Sequence, residues 1–206
     1  MQWLIDTLIW LPAILIALTF HEYAHGLVAD WLGDRTPYYQ GRLTINPLPH
    51  IDWVGFLMLI IFKFGWAKPV QVDPRNFKGV SMKTGMMLVS LAGPGMNMLL
   101  AFLGMLALKL LIPYQAGELG GLLIPLLKPL VYINLILAAF NLIPVPPLDG
   151  SKILAGILPD SGAQFIYSME QYGPLILLLL IVTDMVGKIL WPLVNFLYGI
   201  LQAIIF

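Results

Sequence analysis

The first long run of apolar positions extends from Trp3 to about Leu32 and is interrupted most densely at "LTFHEYAHGL", residues 18–27. About 20 mostly apolar residues suffice for a membrane-spanning helix, so this run predicts one, with Gly33 as its stop. Next comes "GDRTPYYQGRLTINPLPHID", polar and turn-rich, in which "GRLTIN" alternates polar and apolar side chains as a short strand does. "WVGFLMLIIF", residues 53–62, is apolar but only about ten residues long, too short to span, and predicts an embedded hairpin or re-entrant segment. A basic stretch leads to Lys83, and Thr84 to Ile112 is again apolar around "SLAGPGMN". Gly121 to Ile143 is a further apolar segment running into "PVPPLDG", and 174–206 holds two more around Asp184 and Lys188. The pattern predicts an all-α polytopic membrane protein: a helical bundle of about five to six membrane segments with a small membrane-associated β-hairpin or re-entrant element. No internal repeat or soluble domain interrupts it. One membrane-embedded domain over 1–206 is expected, with a core at about 3–156 and a C-terminal membrane hairpin at about 172–206.

Composition agrees. Of 206 residues 59% are hydrophobic and 11% charged, against about 45–50% and about 25% in soluble domains. Lys+Arg and Asp+Glu balance at 11 each, which gives no basic surplus for nucleic acid, so no such partner is expected. Cysteine is absent, which excludes disulfides and thiolate metal sites. No Lys or Arg precedes Arg35, so the basic start of a signal peptide is missing and the first apolar run is expected to stay in the membrane. Loops rich in Lys and Arg remain cytoplasmic. Arg35, Arg42, Lys63, Lys68, Arg75, Lys78 and Lys83 therefore predict that the 34–50 and 63–83 loops share the cytoplasmic side of a cell (inner) membrane. On that topology His21 and Asp149 both fall toward the cytoplasmic ends of their segments. Trp3, Trp31, Trp66 and Trp191, near segment ends, are expected as interface anchors.

Ionisable groups at bilayer depth are expensive and usually functional, which singles out His21, Glu22 and His25. Residues four apart on a helix share a face, with Cβ atoms about 5–6 Å apart, so His21 and His25 can present two imidazole nitrogens to one ion. Glu22 is displaced around the helix and can face a metal-activated water. HExxH on a helix is the pattern in which two histidines bind zinc and the glutamate is general base. The alternative is a buried histidine pair with Glu22 neutralised by a base, but no Lys or Arg lies near Glu22 in sequence. A catalytic zinc takes three protein ligands plus water, and without cysteine the third is histidine or carboxylate. Asp149 stands out in "NLIPVPPLDG", where Pro144, Pro146 and Pro147 break the helix. Broken backbone at membrane depth is tolerated where it lines a cavity or is buried in protein. From spacing alone Asp149 is equally an interfacial cap for a helix starting near Ser151.

"HEYAH", "SLAGPGMN" and "NLIPVPPLDG" in successive apolar segments resemble the site-2 protease family of intramembrane zinc metalloproteases. "GRLTINPLPHIDWVG" and "GWAKPV" resemble its compact bacterial branch, which lacks a PDZ domain. The resemblance covers most of residues 10–155. It implies one zinc per chain held by His21, His25 and Asp149, with Glu22 as catalytic base. It also implies cleavage within the transmembrane segments of single-pass protein substrates, in the manner of regulated intramembrane proteolysis.

Ser90, Gly93, Asn97, Ala101 and Gly104 form a stripe of small or polar residues suited to close helix packing in lipid. Asn97 and Asn141 are amides at membrane depth that could bond a substrate backbone or an oxyanion. The resemblance favours such a role, for Asn141 more than for Asn97, which makes Asn141 a candidate catalytic residue and Asn97 a candidate substrate contact. His50, a lone loop histidine, is expected to hydrogen-bond or gate near substrate rather than ligate metal. "TINPLPH" and "KPVQVDP" could offer strand edges to an unwound substrate. Two other functions compete. A metal-ion carrier could use the same His/Asp site, and an inactive relative could bind helices without cutting them. A carrier needs no general base, so Glu22 favours the protease.

Overall fold

The computed structural model describes residues 2–62 and 65–206, with side chains from residue 9 onward except at residue 62. The side chains of Trp3 and Asp6, and Lys63 altogether, lie outside the described residues. The chain forms α1 (Gln2–Trp31), α2 (Thr36–Tyr39), α3 (Trp53–Phe62), α4 (Met82–Leu111), α5 (Glu118–Asn141), α6 (Asp149–Ile157), α7 (Asp160–Met169), α8 (Gly173–Val182) and α9 (Met185–Ile205), joined in places by short 3-10 turns. Among the described residues five helical stretches are long and apolar enough to cross a membrane: Ile9–Trp31, Met82–Tyr114, Glu118–Asn141, Asp160–Val182 and Met185–Ile205.

α4 is the centre, packed on α1, α5 and α6, and α9 closes over α5. The stripe predicted for α4 is buried as a unit: Ser90, Gly93, Asn97, Ala101 and Gly104 all face neighbouring helices. Without an apolar driving force between helices in lipid, close backbone approach supplies the attraction. Ala101 and Met105 of α4 meet Val131, Leu135, Ala138 and Ala139 of α5, and Val194, Leu197, Leu201 and Ile205 of α9 complete this core. Leu175, Leu178, Leu179 and Val182 of α8 instead point outward, as lipid-facing residues do. Trp31 and Trp191 are also exposed.

α1 stops where Gly33 takes a φ of +105°, a left-handed conformation that suits glycine. The next residue is a hub. The Asp34 carboxylate is fully buried and accepts from the Thr36 N–H and hydroxyl, the Asp73 N–H and the Asn76 amide. Burial alone would raise its pKa, but these hydrogen bonds outweigh it and hold the carboxyl below its ordinary value. The end of α1 is thereby tied to the loop that precedes α4.

Residues 41–46 do not form the expected strand, and no β-hairpin exists among the described residues. Local side-chain bonds win over a ladder: the Thr44 hydroxyl accepts the Asn46 N–H, and the Asn46 side-chain Oδ1 accepts the Leu48 N–H. The segment around α3 is closed at its base. A single antiparallel bridge joins Ile51 to Ala67, and the Lys68 N–H donates to the His50 carbonyl. The two ends of 52–66 therefore lie side by side, with the ten-residue α3 between them. Glycines permit the closure: a Cβ on Gly55 would sit 2.3 Å from the Trp66 carbonyl oxygen, and one on Gly65 would sit 2.2 Å from that of Gly55.

Candidate metal centre

His21 and His25 project from one face of α1 toward α4. Their rings stand edge to face, with centroids 4.6 Å apart. The outer nitrogens fix both tautomers. His25 Nδ1 lies 2.7 Å from the Val89 carbonyl oxygen, an acceptor only, so Nδ1–H donates. Asn97 gives its Nδ2 hydrogens to the Ala17 carbonyl and to Asn134 Oδ1, which turns Asn97 Oδ1 toward His21 Nδ1 at 2.6 Å. Neutral imidazole has one donor and one acceptor nitrogen, so both Nε2 atoms carry lone pairs.

Those two Nε2 atoms are 3.0 Å apart, and each is 3.2 Å from Asp149 Oδ2. Asp149 Oδ2 is buried and accepts no hydrogen bond. With both imidazoles neutral, three electron-pair donors converge, an arrangement that repels itself unless a cation sits between. The donor set fits zinc. Tetrahedral ligands at about 2.0–2.1 Å stand about 3.3–3.4 Å from one another, close to the spacing found. Among the described residues, His21, His25 and Asp149 are the one such group of three.

The elements explain the convergence. Gly93 lets α4 pass beneath the rings, since a Cβ there would lie 2.5 Å from His25 Nε2 and 2.6 Å from His21 Cε1. Beyond α5 the proline-broken stretch folds back so tightly that a Cβ on Gly150 would meet the Ile143 and Leu142 carbonyl oxygens at 2.4 and 2.5 Å. Asp149 is the first residue of α6, and the N-cap position falls to Leu148. Asp149 turns to the histidines, with Oδ2 3.2 Å from each Nε2.

Glu22 sits beside this group, nearly buried. Its Oε2 accepts the Val70 N–H at 2.8 Å and lies 3.9 Å from Arg42 Nη2. Neither partner is visible as such in the sequence: Arg42 reads as a topology signal within the expected strand 41–46, and Val70 as part of the candidate strand edge 68–74. A cavity of about 760 Å³ opens on His21, Glu22, His25 and Asp149, and residues 69–72 and Asn141 also line it. One Asn141 amide hydrogen is held by the Leu137 carbonyl. Asn97 is placed otherwise than expected. It is fully buried behind His21, with both polar atoms engaged, and does not line this cavity. His50 also stands apart: its Nε2–H donates to the Thr44 carbonyl, and it borders a separate cavity of about 110 Å³ between α1, α3 and α5. Burial, with Arg42 nearby, pushes the His50 pKa below its ordinary value, which keeps the ring neutral.

The model of peptidase family M50 matches residues 111–181, which include Asn141 and Asp149. The chain is 38% identical over 185 residues to "Putative zinc metalloprotease YwhC" of Bacillus subtilis, across 88% of this chain and 84% of that protein. The chain belongs to peptidase family M50, the site-2 proteases. It is also 32% identical over 174 residues to "Putative zinc metalloprotease Rip2" of Mycobacterium tuberculosis, across 81% of this chain and 63% of that protein. To "Putative zinc metalloprotease MJ0611" of Methanocaldococcus jannaschii it is 29% identical over 154 residues, across 71% and 69%. No solved structure matches the chain. As a member of M50 the protein is a multi-pass membrane zinc metalloprotease, and zinc is its cofactor.

Proposed function

We propose that the protein is an intramembrane endopeptidase that cuts single-pass substrates inside their transmembrane segments, as in regulated intramembrane proteolysis. His21, His25 and Asp149 hold one zinc per chain, Glu22 is the general base, and Asn141 hydrogen-bonds the reacting carbonyl. The observation that carries this reading is the convergence of His21 Nε2, His25 Nε2 and Asp149 Oδ2 beside a carboxylate, in a cavity walled by candidate spanning helices. Bound zinc supplies Lewis acidity for the scissile carbonyl and the attacking water. Glu22 takes the proton of that water and delivers it to the departing amide nitrogen. Asn141 retains one amide hydrogen not committed to Leu137, available to a developing oxyanion. Asn97 serves as a positioning residue that holds His21 in the tautomer a ligand needs, in place of the substrate contact first expected.

A regular helix hides its carbonyls in internal hydrogen bonds, so the substrate must open. Residues 70–72 line the cavity without regular secondary structure, and the backbone of Gln71 and Val72 has no partner among the described residues. That edge is suited to β-addition. The 43–50 stretch is not, because it is folded into turns. Residues of about 3–156 act as the catalytic core and about 172–206 as a membrane hairpin of the same domain, embedded in the lipid bilayer.

The test is incubation of purified protein with candidate single-pass proteins, reading product masses with and without chelator. Cuts inside the apolar segment that vanish with chelator are expected. Replacing glycine, proline or asparagine near the cut by leucine should slow cleavage, since glycine and proline disfavour a helix interior by about 1 and about 3 kcal/mol relative to alanine. A uniformly leucine-rich segment cut as fast as the native one would remove unwinding from the account.

The active site faces the cytoplasm of the cell (inner) membrane in this reading. The basic loops support it, as does the juxtaposition of residues 51 and 67, which keeps the 34–50 and 67–83 loops on one side. Single cysteines at the exposed Arg35, Arg75 and Glu118 should label from the cytoplasm for the first two and from outside for the third. Arg35 and Arg75 positions labelling from opposite sides would overturn the topology.

A further inference from the structure

Glu22 is held through one oxygen. Oε2 accepts the Val70 N–H and lies within reach of Arg42, whereas no hydrogen bond among the described residues reaches Oε1. The Val70 N–H is in place because the residues before it are clamped. The Lys68 N–H is spent on the His50 carbonyl, and the Lys68 and Pro69 carbonyls accept from Nη2 and Nη1 of Arg42. Arg42 is itself anchored: its backbone N–H donates to the Pro37 carbonyl, and the residue is 4% exposed. Among the described residues Glu22 is its one acidic neighbour within ion-pair distance. A planar guanidinium can serve two successive carbonyls from fixed positions, which a single ammonium cannot.

Resting on the function proposed above, we infer that Arg42 is a positioning residue for the catalytic base. It holds 68–70 so that Val70 fixes Oε2 of Glu22 and leaves Oε1 for the reacting water. The clamped segment continues directly into Gln71 and Val72, the unpaired edge along the cavity. One guanidinium thus sets both the orientation of the base and the line on which an unwound substrate lies. A purely structural Arg42 would support the loop without acting through Glu22, and the two roles separate by measurement.

The experiment compares Arg42→Gln, Arg42→Lys, Val70→Pro and the Arg42→Gln/Val70→Pro double variant, in the full-length protein. The substrate is a single-pass protein that wild type cuts and Glu22→Gln does not. Proline at 70 removes the N–H that reaches Glu22 and leaves Arg42 untouched. Arg42→Gln should lower kcat by about 10–100-fold, the range for residues that orient a metal site from behind, with a smaller change in KM and zinc still bound at wild-type content. Amide exchange across 68–72 should accelerate. Arg42→Lys should fall between, and the double variant should be no slower than the slower single, because both changes break one chain of contacts. Wild-type kcat in Arg42→Gln, a loss confined to KM, unchanged exchange at 68–72, or multiplying effects in the double variant would each overturn the inference. If Arg42→Gln fails to fold, Arg42→Lys decides: reduced turnover with zinc bound supports it and wild-type turnover overturns it. If wild type cuts nothing, or Glu22→Gln cuts as well as wild type, the proposed function falls and this inference with it.

Discussion

Glu22→Gln should reduce cleavage by at least about 10²–10⁴-fold, the contribution of a positioned general base, and should leave zinc bound. The amide preserves the shape of the side chain, and its carbonyl oxygen can still accept the Val70 N–H that Glu22 accepts at 2.8 Å. What is lost is the capacity to take a proton. Zinc should be retained because Glu22 is not one of the three converging groups. The measurement pairs metal analysis with rates on a reconstituted substrate. Loss of zinc alongside activity would mean that Glu22 supports the metal instead of the reaction. Full activity with zinc bound would assign the base to another residue, and among the described residues Asp149 is the one other carboxylate lining the cavity.

What the sequence disclosed, and what it withheld, follows from how far each relation reaches along the chain. The shared face of His21 and His25 is a property of helical spacing and is legible within five letters. The small-residue stripe of α4 is legible for the same reason, and all of its members are buried. The partners of Glu22 are not legible, because Arg42 and Val70 come from a turn and a loop whose meeting with α1 depends on tertiary closure. Asn97 was visible as an amide at depth, but only the packing of α4 on α1 and α5 shows it bonded to His21 and Asn134. The strand expected at 41–46 failed for a local reason. Alternation is a weak signal over so few residues, and the Thr44 and Asn46 side chains compete for the backbone donors that a ladder would use. The opposite case is Asp149: its neighbourhood in the sequence fits a cap as well as a ligand, and the direction of its carboxylate, toward both histidines, is a tertiary relation that no local pattern carries.

Asp149→Ala should abolish zinc retention and, with it, all cleavage. Outer partners of metal ligands change affinity by about 10–100-fold, and removal of a ligand itself should exceed that range. Each remaining imidazole would still offer its lone pair, but two ligands in a cavity of about 760 Å³ leave the ion open to water and to chelator. A second change approaches the same site from the other side. Gly93→Ala alters no ligand, yet its methyl would lie 2.5 Å from His25 Nε2. Either α4 must withdraw or the rings must turn, and both break the three-way convergence. Zinc content after passage through a weak chelator is one measurement, and melting in detergent with and without added zinc is the other. An ion that binds only the folded chain stabilises it by about 2.7 kcal/mol at a hundredfold excess over Kd, so added zinc should raise the melting temperature of wild type and neither variant. If Asp149→Ala kept full zinc and a full melting response, the third ligand would lie elsewhere. Glu22, the other carboxylate facing that cavity beside the histidines, would be the first to replace, because no further group of three exists among the described residues. If Gly93→Ala alone kept zinc, α4 would have room to yield, and the close passage beneath the rings would be a packing feature and not a condition of the metal site.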